Sequence, residues 1–202
     1  MEETHMKRTK NSLFSTRNMV IMAVLTAVQI ILARYLAIQV NEVLRISFET
    51  VPLALAGMWL GPLGGVIVAL VSDVLGTVIY GYGVWFPPIA LGPVAFTAIC
   101  GWGTRYLFRG CLTEKSAAWK VLLTVAVAGV INAFVIGPVT TTWYQMLFTS
   151  KEGTFAVLMW ANMLGRVTTK PWVIIACTVL VWIIHRSVYR PVIRQIVQRP
   201  AR

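Results

Sequence analysis

The chain has 202 residues, 57% of them hydrophobic and only 12% charged, with a mean hydropathy of +0.73. A soluble domain carries about a quarter charged residues, so the composition excludes an ordinary soluble globule and fits one membrane bundle with no separate soluble domain. The formal net charge of +11 invites a nucleic-acid reading, but most Lys and Arg stand at the ends of apolar runs, as the positive-inside rule describes.

Residues 1–18 are polar and basic, with Lys7, Arg8, Lys10 and Arg17 ahead of an apolar run, and are expected to form a disordered tail. The run from Met19 to Ala33 ends in Arg34-Tyr35 without a cleavage pattern, so it reads as an uncleaved first helix rather than a signal peptide. Ala23 and Ala27, and again Ala33 and Ala37, place small residues on one face. That spacing lets another helix approach closely, or reflects ordinary alanine content in a lipid-facing helix. Residues 38–50 leave the membrane, and the alternation from Val43 to Phe48 predicts an extended segment or capping loop. Pro52 suits a helix start, so helix 2 runs to about Leu60, short beside the roughly 20 residues of a full span. Gly61-Pro62 then returns the chain as helix 3, to about Tyr80.

The aromatic turn Gly81–Pro88 fits a membrane–water interface. Helix 4 covers roughly Ile89 to Phe108, with Gly92, Pro93, Gly101 and Gly103 predicting close packing or a kink. Helix 5 runs from about Val121 to Phe148 and helix 6 from about Phe155 to Ile184, with a polar turn between them. The N-terminal tail, the 105–120 loop and the C-terminal tail hold the Lys and Arg clusters. Six spans put both tails on one side, and that side is cytoplasmic by charge. The expected layout is an all-α membrane protein: a basic tail over 1–18, a six-helix membrane domain over 19–186, and a basic tail over 187–202.

A few charges remain in the outer half or the membrane: Arg34, Arg45, Asp73, Arg166 and Lys170, with Glu42 and Glu49 near the outer surface. An intramembrane ionisable residue is a functional-site candidate by default. Arg34 is either an interfacial anchor that snorkels or a ligand group. Asp73 is either half of a structural ion pair with Arg166 or Lys170 or a ligand group. One carboxylate does not neutralise both Arg166 and Lys170, and the excess positive charge calls for an anion. Phe48, Trp85, Phe86, Trp143 and Tyr144 form either an interface belt or a stacking wall for a flat ring. Together these residues suit a planar heterocycle with an acidic tail: cations hold carboxylates and Asp73 accepts ring N–H bonds. Cys100, Cys111 and Cys177 lack metal-ligand spacing and read as packed or free thiols, so no metal is expected. The chain has no GxxxxGK[ST] phosphate loop, no HExxH or GxSxG motif, and no evident inverted repeat. A binding protein driven by a separate engine fits best.

Leu44–Phe48, Val51–Met58, Gly61–Gly65, Val71–Gly76 and Trp85-Phe86-Pro87 resemble the substrate-binding (S) components of energy-coupling factor (ECF) vitamin transporters, specifically the folate-type group. The likeness is good over residues 18–108 and topological beyond. Where the family has a Phe-Pro-Gly-Phe turn, this chain has Phe86-Pro87-Pro88-Ile89. The resemblance implies a six-helix S-component bundle in a prokaryotic cell membrane, with an outward-facing vitamin pocket. It also implies partners: a transmembrane coupling protein, on which Ala23 and Ala27 would dock, and two ATPases that consume the ATP of this ABC-type importer. The chain then needs no cofactor and catalyses nothing. On this reading Arg34, Arg45, Arg166 and Lys170 hold folate carboxylates, Asp73 reads the pterin edge, and Trp85, Phe86 and Trp143 stack or shield. Three alternatives stay open: an S component for pantothenate or a deazapurine (queuosine) precursor, a small membrane enzyme using Asp73 and Arg166, and a structural assembly factor.

Overall fold

The structure, a computed structural model, describes residues 15–39, 45–80, 86–108, 118–148 and 153–187. The tail segments 1–14 and 188–202, the basic loop 109–117, Trp85 and Cys111 lie outside the described residues. The expectations placed on them do too.

In hydrocarbon each backbone group needs an internal partner, and helices supply nearly all of them. The first, α1 (Thr16–Arg34), is the uninterrupted apolar run. Two short strands follow, β1 (Ile38–Gln39) and β2 (Arg45–Ile46), paired antiparallel with Ile38 opposite Ile46. This is the extended segment that the alternation around Arg45 predicts.

The helix α2 (Thr50–Tyr80) folds back on itself at Gly61, whose φ of 86° and ψ of 179° suit glycine alone. Pro62 has no N–H with which to continue the ladder. Two antiparallel arms result, 50–60 and 62–80. They pack against α3 (Pro87–Trp102) at backbone distance. A methyl added to Gly65 would lie 2.8 Å from Gly57 Cα, and one on Gly101 would lie 2.6 Å from Pro62 N. The short arm reaches about 16 Å at 1.5 Å per residue, so it crosses only half of a hydrocarbon core of about 30 Å. Every residue from 51 to 60 is buried. The arm is therefore a half-helix enclosed by the rest of the bundle, and it centres the apolar core with Leu53, Met58, Val68, Phe96 and Val181.

A π-helical turn, Gly103–Leu107, extends α3. The next span is α4 (Ala118–Ile131), a second π-turn at Asn132–Ile136, and α5 (Gly137–Phe148). The last is α6 (Phe155–Val167) and α7 (Lys170–Ile184), with α6 packed on α5 and α7 on α4. A single helix over 155–184 is thus corrected to two, parted at Thr168-Thr169. Pro171 explains the break: its ring and missing N–H oppose a continuous helix, yet suit the first turn of a new one. The six expected segments are present: α1, the two arms of α2, α3, α4–α5 and α6–α7.

Arg34, closing α1, lies beside Gly76 of the long arm. At the opposite end, Trp59 Nε1–H donates to His185 Nδ1 at 3.2 Å, and Arg105 Nη2–H donates to the Trp59 carbonyl at 3.2 Å. That contact caps the short arm's C-terminus, where helix carbonyls lack partners. The start of α1 and the end of α7 therefore share one side of the bundle. Cys100 and Cys177 are buried free thiols.

Candidate functional site

A two-lobed cavity opens around the N-terminus of the buried half-helix. The first lobe, about 260 Å³, lies among α1, the long arm of α2, and the start of α3. The second, about 340 Å³, lies among α3, α4–α5 and α6–α7. Glu49, Thr50, Ile89, Pro93, Phe96 and Asn132 line both, so the lobes are continuous. Each is within the usual range of about 300–1,000 Å³ for a small-molecule site or close to it.

The first lobe takes Gln29, Ala33 and Arg34 from α1, and Ser72, Asp73 and Gly76 from α2. Residues 29 and 33 are one helical turn apart, as are 73 and 76, so each helix presents one face. A methyl on Gly76 would meet Arg34 Nη2 at 3.2 Å and Nε at 3.3 Å. The absent side chain there gives the guanidinium a place beside the turn that carries Asp73. Gln29 is 7% exposed, and its Oε1 accepts no hydrogen bond from any described residue.

The floor is the first turn of the short arm. Glu49 N–H donates to Ser47 Oγ at 3.2 Å and Val51 N–H to the Phe48 carbonyl at 3.0 Å, leaving the positive end of the helix dipole at the cavity. Asn132 begins the π-turn of the fifth span. Such turns, with one residue too many for an α-helix, often mark functional sites. Its Oδ1 would lie 2.9 Å from a methyl on Gly92, so the amide rests against α3 where the lobes join.

The second lobe is the cationic one. Arg166 ends α6 and Lys170 begins α7, so the break at Thr168-Thr169 separates them, yet both line this lobe with Thr140 and Thr141. Arg166 Nη2–H donates to Thr141 Oγ1 at 2.6 Å and Nη1–H to the Ala133 carbonyl at 3.5 Å. Gly137 leaves space for Nη1, while Nε finds no acceptor among the described residues. The guanidinium is thus braced on one edge and unsatisfied on the other, a poise suited to an incoming carboxylate.

The aromatic residues take different places. Phe86 lines the first lobe, joined by Tyr144. Trp143 lines neither lobe; half exposed, it packs edge-on against Phe86 with centroids 6.5 Å apart. Arg45 stands in β2, and Trp85 is not described. Ala23 and Ala27 are exposed on one face of α1. Of the proposed ligand groups, Arg34, Asp73 and Phe86 meet in one lobe, and Arg166 and Lys170 in the other. Sequence reasoning passed over Gln29, Asn132 and Thr141 because it searched the membrane for charges alone. A lone amide within an apolar run, at 29 and again at 132, was the available signal.

A family model for the S component of an ECF-type riboflavin transporter matches residues 13–186. The folate transporter FolT of Clostridium novyi (strain NT) is 35% identical over 129 residues, covering 64% of this chain and 69% of that protein. FolT of Leuconostoc mesenteroides subsp. mesenteroides is 32% identical over 133 residues, covering 66% of each. A crystal structure of FolT bound with folic acid has the same fold, with a TM-score of 0.68 at 21% identity over 86% of this chain and 95% of the other. The chain belongs to the S components of ECF-type transporters, multi-pass proteins of the prokaryotic cell membrane.

Proposed function

We propose that the chain is the folate-binding subunit of an ECF importer. A single observation carries the choice of ligand: the continuous cavity joins a lobe holding Asp73 and the rings of Phe86 and Tyr144 to a lobe holding Arg166 and Lys170. A pterin with its 2-amino and N3–H donors suits the first. The glutamate carboxylates suit the second. Arg34, beside Gly76, balances the charge of the first lobe, Arg45 of β2 would hold a carboxylate, and Trp85 would shield the ring. Trp143 acts through Phe86, fixing its ring.

The protein binds and releases its ligand without chemical change and needs no cofactor of its own. ATP is consumed by two partner ATPases, acting through a transmembrane coupling protein that meets α1 at Ala23 and Ala27. Both tails face the cytoplasm, where the Lys and Arg clusters hold them.

The two names borne by the relatives and the family model, folate and riboflavin, set the second reading. Riboflavin is flat, but it has no carboxylate for Arg166 and Lys170. Equilibrium titration of the purified protein, read by tryptophan fluorescence, decides between them. Saturable folate binding that riboflavin does not displace supports the proposal. Displacement by riboflavin at equal or lower concentration overturns it.

A further inference from the structure

Gln29 is the one α1 amide in the cavity wall, and it is 7% exposed. Its Oε1 is a buried acceptor with no donor among the described residues. Native structures leave few such groups, and each calls for an explanation. The turns around it bury mostly apolar side chains, Met22, Leu25 and Ala33, with Thr26, a face on which an amide stands out.

We propose that Gln29 is a specificity-determining residue for the ring end of the ligand, with its Oε1 accepting a hydrogen bond from a ring N–H. This inference rests on the folate reading above and adds to it a residue that no charge search would select. The chemistry of the two lobes makes the assignment directional. Asp73 is an acceptor when ionised and lines the first lobe together with Gln29. In the second lobe the unsatisfied atom is a donor, Arg166 Nε–H. A ligand that carries N–H groups at one end and carboxylates at the other satisfies both orphans in only one orientation. A site built to hydrogen-bond a ligand group rejects analogues lacking it, because its own buried polar atom is then left unpaired. Gln29 thereby discriminates between flat rings that Phe86 and Tyr144 would accept alike.

The test uses the full-length protein with two variants: Gln29→Met, which keeps the shape without an acceptor, and Gln29→Glu, which keeps an oxygen at the same reach. Folic acid affinity and ligand-free thermal stability are measured for each. Gln29→Met should weaken folic acid binding about tenfold, or about 1.4 kcal/mol, while the ligand-free protein melts at the same temperature or higher. Gln29→Glu should recover most of the loss. Unchanged folic acid affinity in Gln29→Met overturns the inference, as does a ligand-free melting temperature that falls with the affinity. A wild-type protein that does not bind folic acid refutes the folate reading itself, a result distinct from either.

Discussion

Replacing Arg166 by Ala isolates the cationic end of the cavity. The guanidinium gives one strong hydrogen bond to Thr141 at 2.6 Å and one long one to the Ala133 carbonyl at 3.5 Å. Its Nε is buried and unmatched among the described residues. Removal therefore costs the fold little: the lost bonds are offset by relief of a desolvated charge, leaving a stability change within about 1 kcal/mol. Binding is affected differently. A hydrogen bond to a charged group contributes about 1.5–3 kcal/mol, and each 1.4 kcal/mol is about tenfold in Kd. Folate affinity should fall about 10- to 100-fold while the melting temperature moves by a few degrees at most. Arg166→Lys should fall in between, because an ammonium keeps the charge but not the planar fork. Isothermal titration with the detergent-solubilised protein, beside a thermal melt, measures both quantities. Undiminished affinity in a folded Arg166→Ala protein would refute the role and move the carboxylate site elsewhere.

Gly137→Ala should weaken the same ligand several-fold without touching it, since the added methyl falls on Arg166 Nη1 and lies 2.9 Å from the Asn132 carbonyl; titration at two salt concentrations checks this. Gly101→Ala should destabilise by about 1–3 kcal/mol or abolish folding, because its methyl meets only backbone, at Pro62 N and at Gly57 O, 2.8 Å away. Gly165→Ala, with nothing within 4 Å, should instead stabilise by up to about 1 kcal/mol, and melting curves of the pair decide. Asn162→Leu removes bonds of 2.9 and 2.8 Å to Thr142 and Gln145; at about 0.6 kcal/mol each, α6 should loosen from α5 by roughly 1 kcal/mol in a melt. Ala23→Leu with Ala27→Leu should leave folate binding intact and abolish uptake in cells carrying the coupling partners. Normal uptake would remove that face from the docking surface.

The architecture was legible where the chain punctuates itself. Gly61-Pro62 announces a reversal, and the structure places a positive φ at that glycine. The alternation around Arg45 announces an extended segment or capping loop, and β2 lies there; its pairing with β1 was not legible. The break between α6 and α7 was equally written, in Pro171, but a long apolar run obscured it. Asp73, Arg166 and Lys170 could be singled out because charge in hydrocarbon is expensive. Their separation into two lobes was not readable, since it depends on which faces of α1, α3 and α7 meet. Nor was the placement of Trp143: residues 143 and 144 are neighbours in sequence, and only the rotation of α5 decides that Tyr144 lines the cavity while its neighbour turns outward.

Three irregularities of the bundle's backbone gather at the cavity. The half-helix 50–60 starts there, the π-turn at Asn132 bulges there, and the break before Lys170 opens there. A regular six-helix bundle would fill its centre with side chains and leave no room for a ligand. Shortening one helix to about half a span removes that filling over the other half, and the Gly57–Gly65–Gly101 contact keeps the remaining half tightly closed. Irregular backbone at membrane depth is tolerated where it is enclosed by protein or lines a cavity, so the three irregularities and the cavity permit one another. The same division separates the two ends of the molecule. The cavity lies at one end of the half-helix, and the Trp59–His185–Arg105 cluster lies at the other. The cavity and the far end are thus joined by the buried half-helix, and by α3 and α7, which line the cavity and lead to Arg105 and His185. A substitution that forces the short arm off its neighbours, at Gly57 or at Gly65 facing it, would therefore disturb binding and stability together, whereas one in either lobe should separate them.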